Sequence, residues 1–290
     1  MAEFGETAIG GKRKIAFTLG WIGFRCISSH DGVISGSDIF LAFDLHSFRG
    51  MTVTDEQTVR NIAVANPAAT RVFETFGIDY CCGGNLSLSA ACARANASIE
   101  SVAEALQECE RTQEADAPDD ATLGDLTRYI VARHHEFVRR ESQRIQALLV
   151  KVDDRHGRVH TELSRVRALF AALSQELNAH MTKEERILFP YIEALGGQSA
   201  PSACFDSVES PIAVMIADHE DAGAILLKIR TLTNGHTAPA GACSSFRALY
   251  AALDEFERDL HRHVHLENNI LFPRAISAEC ELRRASASPK

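Results

Sequence analysis

From about residue 121 onward the apolar residues recur every three or four positions, the spacing of one buried face of an α-helix. The recurrence falls into four blocks. The first is Leu123, Leu126, Ile130, Val131, Phe137, Val138, Ile145 and Leu148; the second is Val166, Leu169, Leu173 and Leu177, resuming at Ile187, Leu188 and Tyr191. The third is Ile212, Met215, Ile216, Ala222, Leu226 and Ile229; the fourth is Phe246, Leu249, Leu253, Phe256 and Leu260, resuming at Ile270 and Leu271. Four such stripes predict an all-α chain whose main domain, 121–276, is a four-helix bundle. Punctuation agrees. Thr122-Leu-Gly-Asp125 reads as a capping box and Ser210-Pro211 as a helix start. Asn234-Gly235 reads as a helix stop, and Gly196-Gly197 opens the crossover between two hairpins. Pro190 and Pro273 predict a kink or an end in their helices.

Ahead of the bundle the pattern is shorter. Residues 53–112 predict a small unit of short helices, with Thr54-x-x-Gln57 as a start signal and Asn66-Pro67 as a break. A helix from Ser98 to about Glu110 carries Val102, Ala105, Leu106 and Cys109 on its apolar side. The acidic stretch 113–120 reads as a linker. Residues 1–50 resemble neither unit: Lys12-Arg-Lys14 precedes an apolar run, Ile15 to Phe24, too short to span a bilayer. Met51 is the expected natural start, with 1–50 an extension, and the tail 277–290 is expected to be disordered from Arg283.

Two of the stripes are interrupted in register by polar residues. His180-Met-Thr-Lys-Glu184-Glu-Arg-Ile-Leu-Phe-Pro190 is echoed by His263-Val-His-Leu-Glu267-Asn-Asn-Ile-Leu-Phe-Pro273, both reading H-x-x-x-E-x-x-I-L-F-P. Residues four apart share a helix face, so each copy aims an imidazole and a carboxylate at one place. The repeat reaches further back. His135-Glu136 precedes His180 by 45 residues, and His219-Glu220 precedes His263 by 44. Each half is therefore a hairpin, one helix bearing a lone His and the next bearing His-x-x-x-Glu. Burying a bare carboxylate costs on the order of several kcal/mol, so a counter-charge is required. A metal supplies it, and a mixed nitrogen–oxygen cage suits iron or manganese. On the first helix His134 lies near the middle of the stripe and His135 nearer its edge. The His-Glu register selects His135, with His134 as the alternative.

Other histidines carry blander readings. His261 and His265, two residues either side of His263, turn toward the opposite face, exposed or beside the site. His156, His160 and His236 fall near turns as solvated side chains. Glu176, Asp218 and Glu220 are candidates for orienting the ligands or lining an iron path, or are surface charge.

Composition narrows the classes. The chain has 290 residues, is 46% hydrophobic, and carries a net charge of −9, which argues against a nucleic-acid partner. Its 8 cysteines are irregularly spaced, which predicts reduced thiols and a cytoplasmic address with no membrane association. Cys81 and Cys82 lie in a glycine-rich turn, Gly77-Ile-Asp-Tyr-Cys-Cys-Gly-Gly-Asn85. Adjacent thiols close a mutual disulfide poorly. As thiolates they bind soft metals or react with nitric oxide; alternatively one is core and the other incidental. The glycines allow close approach to a ligand or partner.

Asp79-Tyr-Cys81-Cys82-Gly-Gly-Asn85, followed by a helical domain with His135, His180/Glu184, His219 and His263/Glu267, resembles the iron–sulfur cluster repair di-iron proteins, over about residues 53–276. The resemblance implies a short N-terminal domain, a hemerythrin-like bundle, and two non-haem iron ions. The irons would be held by His135, His180, His219 and His263 and bridged by Glu184 and Glu267, with His135 favoured over His134. It implies repair of iron–sulfur clusters after nitrosative or oxidative stress by supplying iron, with damaged iron–sulfur proteins as partners. Nitric oxide binding or reduction to nitrous oxide, and sensing of nitric oxide or dioxygen, are the alternatives at the same centre. Cys81 and Cys82 are the candidates for guiding iron transfer, and a homodimer is a candidate assembly. The 50-residue extension departs from the family pattern.

Overall fold

The computed structural model describes residues 56–81, 83–111, 121–197 and 205–287. The expectations for residues 1–50, for the acidic linker and for Cys82 fall outside them. Among the described residues the chain is helical, with one isolated bridge between Thr58 and Ser87.

Four short helices form the N-terminal unit: α1 (Val59–Ala65), α2 (Ala69–Phe76), α3 (Leu88–Ala95) and α4 (Ile99–Arg111). Helix α1 is capped by Thr58, whose hydroxyl accepts from the Asn61 amide; the expected start signal at Thr54 lies outside the described residues. Val59, Ile62, Phe73, Tyr80, Leu88, Val102 and Leu106 close a core of their own. The glycine-rich turn is folded against this unit. Asp79 accepts from the Cys81 amide at 3.0 Å and the Cys81 thiol at 3.2 Å. Burial pushes the Asp79 carboxyl up, but His261 and the Gly83 and Cys81 donors outweigh it and hold the carboxyl low. The close approach that the glycines permit is to the chain itself. A Cβ on Gly84 would lie 2.6 Å from the Tyr80 carbonyl oxygen and 3.0 Å from Arg60 Cβ. Gly84→Ala is therefore expected to cost about 1–3 kcal/mol, as an overpacked core does. A thermal melt indistinguishable from the parent protein would show that the turn can yield.

The bundle follows. Helix α5 (Leu123–Ile130) passes through a π-helical turn, Val131–His135, into α6 (Glu136–His156). Helix α7 (Glu162–Lys183) continues through a second π-turn, Glu184–Leu188, into α8 (Phe189–Gly196). Helix α9 (Glu209–Leu232) stands alone, and α10 (Ser244–His265) passes through a third, Leu266–Leu271, into α11 (Phe272–Ala287). Thr122 and Asp125 form the reciprocal capping box. Helix α9 begins two residues earlier than Ser210-Pro211 suggested, and the Val208 amide at its start is capped from afar by Glu279, which also binds Tyr191 and Ser207. Pro190 and Pro273 do not end their helices: each sits in the first turn after a π-turn, where a proline's missing N–H is least costly. Nor is the chain disordered from Arg283, since α11 runs to Ala287.

The bundle core divides into two apolar clusters. One is built on Phe137, Ile145, Phe170, Leu173, Ile229, Phe246 and Phe256. The other is built on Leu126, Ile130, Leu188, Phe189, Ile192, Met215, Leu271 and Phe272. A belt of buried polar side chains joins them: His134, His135, His180, Glu184, His219, His263 and Glu267.

The N-terminal unit rests on the last long helix. Glu74 accepts both guanidinium contacts of Arg262, at 2.8 and 2.7 Å, and the Tyr80 hydroxyl at 2.8 Å. Arg60 donates to the Asn268 carbonyl at 3.3 Å, and the Asn269 amide to the Tyr80 carbonyl at 3.4 Å. No helix among the described residues is long and apolar enough to cross a membrane.

Candidate metal centre

Each π-turn contains a residue of the polar belt, and the geometry explains why. A π-turn inserts one residue into the helix and shifts the following face by about 100° relative to a regular α-turn. On the first helix the inward step runs from Ile130 to His135, five residues instead of four, and the chain resumes with Phe137, Val138 and Glu141 buried. On the other two, Glu184 is the first and Glu267 the second residue of the inserted turn, and both are fully buried. Local irregularity is thus spent on turning three polar side chains inward without disturbing the apolar stripes on either side.

Six of the seven belt residues converge on two overlapping groups. His135, Glu184, His263 and Glu267 form one; His180, Glu184, His219 and Glu267 form the other. Within each group the ligand-type atoms all lie within 4.8 Å of one another, and the same two carboxylates belong to both. His135 Nε2 is 3.2 Å from His263 Nε2, and His219 Nε2 is 3.0 Å from His180 Nε2. Glu184 has His135 and His180 at 3.4 and 3.3 Å, while Glu267 has His219 at 3.1 Å and His263 at 2.8 Å.

Whether these groups fit a cation can be judged from their unmet valence. Both oxygens of Glu184 and Oε2 of Glu267 are buried and accept no hydrogen bond, although imidazole nitrogens lie within 3.4 Å. Leaving such oxygens unsatisfied costs about 1–3 kcal/mol each, so the arrangement is sensible only around positive charge. The titrations say the same. Burial lowers His135 and His180, but the carboxylates overcome it and raise them to about 10 and about 9. Glu267 is held well below its usual range: burial opposes this, but His263, His135 and His219 prevail. The donor set, nitrogen and oxygen without thiolate, fits a hard or borderline divalent metal.

A second layer orients the rings. His135 Nδ1 lies 2.6 Å from Glu185, which Arg139 holds at 2.7 Å. His180 Nδ1 lies 3.1 Å from Asp218, itself paired with Lys183. His219 Nδ1 lies 2.9 Å from Asn268 Oδ1. Fixing Nδ1 in this way leaves Nε2 free to face the carboxylates. Glu185 and Asn268 were missed in reading the sequence. They occupy the same place in the two repeats, directly after Glu184 and Glu267, and each serves the lone His of its own half. The internal repeat carried that signal.

Other sequence candidates fall elsewhere. His134 is buried but outside both groups; its Nδ1 is 3.1 Å from Asp259. Glu176 and Glu220 are exposed. His265 is buried rather than exposed, edge-on to Tyr80 at 5.4 Å and bonded to Asn269, and burial followed by Arg60 lowers it to about 4. His236 is 2.6 Å from buried Glu257, and His156 is 3.2 Å from the Cys243 sulfur, so neither is a solvated bystander. Cys81 is buried against the bundle core and belongs to neither group of candidate ligands.

A four-helix bundle with a buried His/Glu belt is the architecture of a hemerythrin-like cation-binding protein. Residues 126–275 match the hemerythrin HHE cation binding domain, and residues 55–110 match a domain of unknown function, DUF542. The iron-sulfur cluster repair protein YtfE of Pectobacterium atrosepticum is 38% identical over 230 residues, covering 77% of this chain and 98% of its own. The protein of the same name from Edwardsiella ictaluri is 40% identical over 228 residues, covering 78% and 99%. That of Yersinia pseudotuberculosis is 36% identical over 226 residues, covering 77% and 98%. The chain belongs to the family of the iron–sulfur cluster repair protein YtfE.

Proposed function

We propose that the bundle holds two non-haem irons bridged by Glu184 and Glu267, and that the protein supplies iron to damaged iron–sulfur clusters. One observation carries the reading: two candidate cation sites share a single pair of buried carboxylates, and three of their four oxygens accept no hydrogen bond. Two sites with common carboxylates call for two like-charged ions close together, and the nitrogen–oxygen donor set suits iron. The relatives' role in iron–sulfur cluster repair, carried in their name, supports an iron–sulfur protein as the acceptor. Bound iron would contribute exchangeable coordination positions that a small ligand or an acceptor can enter.

The chain's own residues do the rest. His135 and His263 face one position, His180 and His219 the other, and Glu185, Asp218 and Asn268 keep the rings aimed. The apolar clusters on either side exclude water from the carboxylates. Cys81 and Cys82 are the thiols we assign to passing iron onward, and the burial of Cys81 against the bundle supports a role at that junction. A cytoplasmic setting, where thiols stay reduced, follows from this reading.

The test is iron per chain in protein purified without oxygen, followed by incubation with an apo iron–sulfur acceptor. The expected result is about two irons and their transfer to the acceptor. Cys81→Ala combined with Cys82→Ala is expected to keep both irons and to slow transfer. Iron that stays bound while the acceptor remains empty would sink the supply reading, and zinc or no metal in folded protein would sink the di-iron centre itself.

A further inference from the structure

The two halves of the centre are related by the internal repeat, yet one ring is held differently from the other three. His180 and His263 are repeat equivalents, and so are the residues placed to meet their outer nitrogens: Asp218, directly before His219, and His134, directly before His135. In one half the equivalence works as an anchor, with Asp218 3.1 Å from His180 Nδ1. In the other it does not. His134 lies flat against His263, with centroids 5.6 Å apart and planes 8° from parallel. Its own Nδ1 turns away to Asp259 at 3.1 Å. His263 Nδ1 is left buried with no hydrogen-bond partner, while His263 as a whole is 1% exposed.

The cause lies one turn upstream. Asp259 and Glu176 are repeat equivalents, preceding His263 and His180. Glu176 is exposed and leaves Asp218 available to His180. Asp259 is buried and, with Arg133 at 3.6 Å, draws the polar edge of His134 to itself. The group facing His263 is thereby a ring face rather than an acceptor.

We infer that the two metal positions are unequal by construction: the His135/His263 position releases its ion first, and the His180/His219 position retains its ion. The inference rests on the di-iron reading and names which iron that reading makes available. An imidazole ligand whose outer N–H meets a carboxylate or carbonyl oxygen is more basic and fixed in orientation, and loss of such a partner typically lowers metal affinity about 10–100-fold. The His180/His219 position has both rings anchored, by Asp218 and Asn268. The His135/His263 position has one, by Glu185. A supplier that must give up iron without losing the whole centre is well served by that difference.

The test is air-free release of ferrous iron to ferrozine, followed by stopped-flow absorbance, on the full chain with its iron counted beforehand. The expected trace has two phases of one iron each. Asp218→Ala is expected to accelerate the slow phase about 10–100-fold and to leave the fast phase in place. His134→Asn offers His263 an acceptor while its amide can still serve Asp259, and is expected to slow the fast phase. Near-ultraviolet charge-transfer absorption, recorded on the oxidised form of each variant, reports that the centre is assembled independently of release. Two irons that leave in a single phase, or a slow phase indifferent to Asp218→Ala, would overturn the inequality while leaving the di-iron reading intact. A count below two at the outset would overturn that reading and this inference with it.

Discussion

Glu267→Ala is expected to yield folded protein with essentially no bound iron, although all four histidines remain. The reason is the sharing. Glu267 belongs to both candidate positions, with His219 3.1 Å and His263 2.8 Å from its two oxygens, and it is 0% exposed. Removing it takes one oxygen donor from each ion and also the negative charge that offsets their mutual repulsion. At the low effective dielectric of a buried site that repulsion is large compared with the few kcal/mol a single ligand contributes. His180→Ala touches only one position and is expected to lower the count to about one. The contrast between the two variants, read as iron per chain by elemental analysis, tests the bridging role directly. Two irons retained in Glu267→Ala would refute it.

Glu74→Ala is expected to lower stability by about 2 kcal/mol and to loosen the N-terminal unit more than the bundle. Breaking a buried ion pair from one side costs more than forming it gains, because the other charge stays behind. Here Glu74 is 5% exposed and Arg262 34%, so the guanidinium keeps partial access to water and the cost falls below that of a fully buried pair. The Tyr80 hydroxyl, fully buried, loses its acceptor in the same substitution. Urea unfolding combined with hydrogen exchange separates the effects: amides of α1 to α4 should lose more protection than those of α6 and α7. Equal loss across both units would mean that the seam does not hold them together locally.

The sequence carried the bundle through four apolar stripes and the centre through the repeat, and what escaped it has a common physical cause. A period of 3.6 residues assumes an unbroken α-helix. At the first π-turn the inserted residue brings His135, and not His134, into a group of candidate ligands, a shift that a regular period does not register. After the second, Phe189 is buried while Ile187, assigned to the stripe, is 48% exposed. The remaining omissions depend on remote partners: Glu279 on the start of α9, Glu257 on His236, and Tyr80 on His265. Local pattern has no access to contacts between residues 20 to nearly 200 positions apart. Where such a contact repeated, as with Glu185 and Asn268, comparing the two halves would have disclosed it.

The contacts of the small N-terminal unit fall on Arg262, His265, Asn268 and Asn269, interleaved with His263 and Glu267 on the same stretch of helix. One side of that stretch faces the cation positions and the other is a bearing surface for residues 60–80. The two matched domains, 55–110 and 126–275, are thus separable in sequence and continuous in mechanics. A fragment beginning at residue 121 would keep every ligand yet lose the buttress behind two of them. Whatever pulls on the glycine-rich turn pulls, through a single helix turn, on the carboxylate that belongs to both candidate cation groups.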